Sequence, residues 1–188
     1  MATSNQITDA SLTSYCEVLK SLEIPFDVED EVIIFYFTFN EKISLQLRFA
    51  LATIEQYLYI SVFSGQLVVP EGMRATMAEF IAHVNCEKTI YLGHWNLDYE
   101  SGFLCYTYNL MNPTTQEEFH TLLRDHILLR TYEIFSTYIE AIFAVLHEAK
   151  TVEEALAMLQ EEDLEQEEDE ENEEDFEEGE DDSDTFLI

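Results

Sequence analysis

Glycine is scarce in this chain. Gly65, Gly72, Gly93, Gly102 and Gly179 are the only five in 188 residues, and none stands in a G-x-G or G-x-x-x-x-G-K spacing that would wrap backbone amides around a phosphate. A phosphate-binding loop of known type is therefore not expected. Cysteine is equally sparse: Cys16, Cys86 and Cys105 lie in separate segments with no C-x-x-C pair, which argues against a disulfide framework or a thiolate metal site and for reduced, packed thiols. Basic residues number only eight against 40 acidic ones, for a net charge of −32. Nucleic acids and anionic membranes are held by Lys and Arg, so neither is an expected direct ligand. Long apolar runs are missing too. The longest, 32–39, is broken by Thr38 and falls far short of the roughly 20 residues that cross a bilayer. The opening Met-Ala-Thr-Ser-Asn-Gln carries no basic segment leading into an apolar one, so no secretory leader is expected and the expected compartment is the cytoplasm.

What is present divides unevenly. Residues 161–188 hold 18 of the acids and no Lys or Arg, while eight basic and 22 acidic side chains leave residues 1–160 at −14. The second part is expected to be a disordered acidic tail, because its acids repel one another and few apolar residues interrupt them. Such an acidic run commonly serves solubility alone; its apolar tip, Phe186-Leu187-Ile188, is unnecessary for that and offers the alternative of a short docking peptide. The first part is 1–160, one domain. With 47% hydrophobic and 13% aromatic residues in the whole chain, it has the means to build a core.

Leu12, Tyr15, Val18, Leu19 and Leu22 recur at three- and four-residue spacing, predicting a helix that Pro25 ends. Three segments rich in β-branched and aromatic residues follow, 31–40, 44–52 and 56–64, and read as an antiparallel meander. The second alternates Leu45, Leu47, Phe49 and Leu51 with Gln46, Arg48 and Ala50, so one face of the sheet is expected to be wet. Met73, Met77, Phe80, Ile81 and Val84 make a second helical stripe, closed by Asn85 and Cys86. Residues 91–98 and 103–110 form a hairpin turning at Gly102. Thr114 and Thr115, three residues ahead of Glu117 and Glu118, supply capping boxes for a helix whose apolar positions run from Phe119 to Leu146. At 1.5 Å per residue such a helix is about 45 Å long, more than a domain of this size needs, so its far end is expected to pack on something else. Thr151 with Glu154 caps a short final helix. The fold class is α+β: helix, three-stranded meander, helix, β-hairpin, long C-terminal helix.

Chemistry is thinly represented. No G-x-S-x-G elbow or protease-type cysteine signature occurs, and the single Glu117-x-x-His120 lacks the second copy that a di-iron bundle requires. Glu79 and His83, at i and i+4, are read as a solvated pair, and His120 and His126 as too far around a helix to chelate together. Trp95 is expected in the core and its neighbour His94 in solvent. No catalytic residue, metal or cofactor is expected, and the chain is read as a non-enzyme. The aromatics Phe35, Tyr36, Phe37, Phe39, Tyr57, Tyr59 and Phe63 exceed what one core face needs. Tyr36, Tyr57 and Tyr59 span both strand parities, so some must lie on the second face, and tyrosine is favoured at protein interfaces.

Residues 77–85, Met-Ala-Glu-Phe-Ile-Ala-His-Val-Asn, the hairpin formed by Tyr91-Leu-Gly-His-Trp-Asn-Leu-Asp98 and Gly102-Phe-Leu-Cys-Tyr-Thr-Tyr108, and the helix 114–146 together resemble the YbjN family, whose fold looks like that of type III secretion chaperones. The resemblance rests mainly on 73–147 as motif and extends over about 5–150 as topology. It implies a small regulator, homodimeric like the chaperone relatives, that holds a client protein; it brings no catalytic residues. The acidic tail departs from the family. Its end, Asp181-Asp-Ser-Asp-Thr-Phe-Leu-Ile188, is similar in character to the partner-recruiting C-termini of bacterial single-stranded-DNA-binding proteins, without their final Pro-Phe. The expected function is a cytoplasmic, chaperone-like adaptor that binds protein through Tyr36, Tyr57, Tyr59 and the tip Phe186, Leu187 and Ile188. The alternative is an acidic mimic that blocks a basic site on a nucleic-acid-binding protein.

Overall fold

A computed structural model describes residues 10–40, 44–86 and 93–159; the acidic tail and its tip lie outside the described residues. Helix α1 (Ala10–Ser21) buries Leu12, Tyr15, Cys16, Val18 and Leu19, but Leu22, just past its end, is 41% exposed. The chain leaves the helix there through Glu23 at φ 56, with Ile24 N–H donating to Leu19 O at 3.0 Å and Glu23 N–H to Lys20 O at 3.1 Å. That hydrogen-bond pair is a Schellman cap, whose left-handed position glycine usually fills.

The meander holds four strands instead of the expected three: β1 (Phe26–Glu29), β2 (Val32–Asn40), β3 (Ser44–Ile54) and β4 (Tyr57–Val68). The added hairpin β1–β2 closes Glu29 on Val32 through Asp30 and Glu31, at φ 48 and 66. Two central residues with positive φ define the type I′ turn, normally signalled by Asn-Gly. After a 3-10 turn (Glu71–Met73), α2 (Arg74–Val84) crosses to the hairpin of β5 (Gly93–Leu97) and β6 (Phe103–Met111). The turn of this hairpin uses Gly102 at φ 80. The six antiparallel strands lie in the order β1-β2-β3-β4-β6-β5, so the final hairpin extends the meander into one sheet.

Asn85 blocks part of the outer edge of β5. Its Nδ2 donates to Trp95 O at 2.9 Å and its Oδ1 accepts from Trp95 N–H at 2.8 Å, replacing one rung of a neighbouring strand.

The expected long helix is interrupted. It starts with the Thr115–Glu118 capping box as α3 (Gln116–Thr121), widens into a π-helical segment at Leu122–Leu128, and resumes as α4 (Leu129–Leu146). In the wide turn Leu129 N–H reaches Arg124 O, five residues back. The Tyr108 hydroxyl, from β6, lies 3.3 Å from His126 O and 3.4 Å from Ile127 O, supplying a donor where regular i→i−4 pairing is lost. Nor does the far end of α4 reach out to something else. Val145 and Leu146 are buried with Ala155 and Leu159 of a last helical stretch, 152–159, which begins at the Thr151–Glu154 capping box.

One apolar cluster unites the helices with one face of the sheet, including Phe35 and Phe49 stacked at 4.9 Å and Trp95 set at 5.1 Å from Phe135. Trp95 is buried and His94 exposed, as their alternation predicts. Cys16 is buried and Cys105 half-buried, but Cys86 is exposed, not packed. Among the described residues no helix is long and apolar enough to cross a membrane.

Candidate protein-binding face

Strand alternation sends every second residue of the sheet away from the helices. In β3 these are Gln46, Arg48, Ala50, Ala52 and Ile54, and the register carries the pattern across the strands. One row runs Tyr36–Arg48–Phe63–Cys105–Asn96, the next Ile34–Ala50–Ser61–Thr107–His94, then Val32–Ala52–Tyr59–Asn109, and last Ile54–Tyr57–Met111. Small side chains fill the middle of the face and aromatics stand at its two ends. Among the described residues no helix covers this face: the buried helix residues belong to the cluster on the opposite side, whereas Ile34, 5% exposed, lies outside that cluster.

All three tyrosines singled out in the sequence lie on this face. Tyr36 is 48% exposed, Tyr57 43%, and Tyr59 half-buried. They are not one cluster. The rows of Tyr36 and Tyr57 are separated by the six residues from Arg48 to Ile54, about 20 Å at ~3.3 Å per residue. Phe35 fills the core, and Phe37, although of core parity, is 47% exposed. The side chain of Phe39, and the tip Phe186, Leu187 and Ile188, lie outside the described residues.

Near Tyr36 the Arg48 guanidinium lies 5.1 Å from the centre of the Phe63 ring and 4.0 Å from the Glu29 carboxylate. Phe63 in turn meets Phe103 edge-on at 6.4 Å. This cation–π arrangement sets a planar cation and two rings at the rim of a sheet, a combination enriched where proteins bind each other. Arg48, Phe63, Phe103, Met111 and Ile54 were missing from the residues expected to bind. The strict alternation of β3 already placed Arg48 on the wet face, but Phe103 and Met111 join it only through the β4–β6 pairing, which no local pattern announces.

Thr107 is the polar centre. Its hydroxyl accepts from Asn96 Nδ2 at 2.6 Å and lies 3.2 Å from His94 Nε2. Only 4% of Thr107 is exposed, so its hydroxyl has little room beside it for a reacting molecule. Burial pushes the Cys105 thiol up, with Ser61 partly opposing the shift; a thiol kept protonated is a weak nucleophile. Glu117 and His120 are both exposed on α3. Among the described residues no group of three or more His, Cys, Asp or Glu side chains converges as a metal site would require.

No family model, no curated protein and no solved structure matches this chain.

Proposed function

We propose that this protein is a non-enzymatic, chaperone-like adaptor that holds a client protein against the uncovered face of its sheet. The observation that carries this reading is the face itself. Apolar and aromatic side chains, Tyr36, Phe63 and Phe103 toward one end and Ile54, Tyr57 and Met111 toward the other, line a sheet surface that no helix of the described chain covers. Exposed apolar and aromatic patches of this kind mark interaction sites in soluble proteins. The resemblance of 73–147 to the YbjN family supports the same reading, and with it a cytoplasmic homodimer.

A second reading, an acidic mimic occupying a basic site on a nucleic-acid-binding protein, is favoured by the net charge of −32. It makes the tail the binding element and the sheet face incidental.

Photo-crosslinking separates these. A benzoylphenylalanine placed at Tyr36 or Tyr57 is expected to trap a protein partner in the native cell, and the same group at Tyr132, exposed on α4, to trap none. Adducts only from Tyr132, or from no position, sink the adaptor reading. An adduct of twice the monomer mass identifies the face as the homodimer contact.

A further inference from the structure

Where β6 passes into α3, Met111, Pro113, Glu117, Thr121, Leu122 and His126 border a groove of about 510 Å3. It continues the sheet face, because Met111 pairs across the strands with Tyr57 and is itself 63% exposed. Its walls are held from behind. The Tyr15 hydroxyl bonds the Asn112 side chain and lies 3.3 Å from Pro113 O, tying α1 to this turn. The π-helical segment, supported by Tyr108, brings Leu122 and His126 to the same opening.

The two carboxylates at the groove differ in their freedom. Glu118 Oε2 accepts from Thr114 N–H at 2.7 Å and from the Thr114 hydroxyl at 2.9 Å, and these bonds hold its carboxyl below the usual glutamate range. Among the described residues no hydrogen bond or ion pair engages the Glu117 side chain. A free carboxylate beside an apolar groove is a complement for a cation attached to an apolar group.

We propose that this groove seats a cationic, amphipathic segment of the client: an apolar side chain lodges between Met111 and Leu122 while a neighbouring Lys or Arg pairs with Glu117. The inference rests on the adaptor reading and names the chemistry of what is held. Charge selects the occupant. With residues 1–160 at −14, a basic segment is drawn in, and the chain's own 161–188, with 18 acids, is repelled along with any acidic peptide. A second copy of the chain would set Glu117 against like charge.

The test uses the full-length protein, isotopically labelled, and two acetylated heptapeptides, Lys-Leu-Lys-Lys-Phe-Leu-Lys and its counterpart with every Lys replaced by Glu. Amide shifts map the site and fluorescence anisotropy gives the affinity. The lysine peptide is expected to move the amides of Met111, Glu117, Thr121 and Leu122, to bind about tenfold more weakly to Glu117→Lys and to Met111→Ser, and to weaken further as salt rises. Both substitutions are at exposed positions, so loss of the fold is not expected and thermal melting checks it. The glutamate peptide is expected not to bind. No shift at the groove with the lysine peptide, equal binding of the two peptides, or indifference to both substitutions overturns the inference. Shifts confined to the rows of Tyr36 and Tyr59 overturn it while leaving the adaptor reading standing, and that reading fails separately if crosslinks from Tyr36 and Tyr57 are absent.

Discussion

Acidic residues occupy the backbone positions that glycine would normally take. Glu23, Asp30, Glu31, Glu55 and Glu148 all have positive φ between 48° and 66°, a conformation that costs an L-residue with a Cβ about 1–2 kcal/mol. Glu148 repeats at the end of α4 the cap that Glu23 makes on α1, with Ala149 N–H bonding Ala144 O at 2.9 Å. Glu31→Gly in the type I′ turn is therefore expected to stabilise the fold by about 1 kcal/mol, read as a higher urea midpoint at unchanged slope. Two core tyrosines give a sharper contrast. Among the described residues the Tyr106 hydroxyl is buried with no hydrogen-bond partner, whereas Tyr108 donates toward the carbonyls of the π-helical segment. Tyr106→Phe is expected to be neutral or to stabilise by up to about 1 kcal/mol, and Tyr108→Phe to cost about 1 kcal/mol. Burial also raises the Tyr106 phenol to about 12, against about 10 in the unfolded chain. Between those values the unfolded chain has released a proton that the folded one keeps. Stability from this group is thus complete below pH ~10 and drains away as pH rises toward 12. Urea midpoints of Tyr106→Phe measured at pH 9 and pH 11 are expected to differ less than those of the parent protein.

Among the elements, edge strand β5 depends most on a single side chain. Asn85→Ala leaves the partly buried N–H and C=O of Trp95 without the Asn85 side chain, at an expected cost of about 1–2 kcal/mol. It also frees an edge for pairing with other chains, so concentration-dependent association in light scattering is the second expected outcome. The helical stripes, the strands from Val32 onward and the hairpin at Gly102 were legible in the sequence, because each carries its own period or its own turn residue. β1 was not. It is four residues long, and its turn is written Asp30-Glu31 instead of Asn-Gly. The π-helical segment was hidden as well, since an inserted residue within 122–128 leaves apolar residues at spacings that still read as one helix, and its stabilising hydroxyl comes from a strand. The same holds for the candidate face. Alternation placed Tyr36, Tyr57 and Tyr59 off the core, but their separation by about 20 Å, and the company of Arg48, Phe63 and Met111, follow from register between strands.

At the scale of the whole molecule, two features bear on the proposed adaptor role: a charge of −32 and a sheet face that no described helix covers. Charge attracts basic partners from a distance but is shared by most of the chain, and it weakens as salt rises. An apolar, aromatic face acts by contact and sets which partner fits. Tyr36→Ser with Phe63→Ser removes two aromatic side chains from the face away from the core, so on the adaptor reading the double variant is expected to keep its fold and to lose the client. The central claim is tested most directly by measuring client capture from the native cell with three baits at two salt concentrations: the parent chain, the Tyr36→Ser/Phe63→Ser variant, and residues 1–160 alone. The adaptor account predicts that 1–160 retains the client and the sheet variant loses it at both salt concentrations; retention by the sheet variant together with loss on removing 161–188 contradicts it.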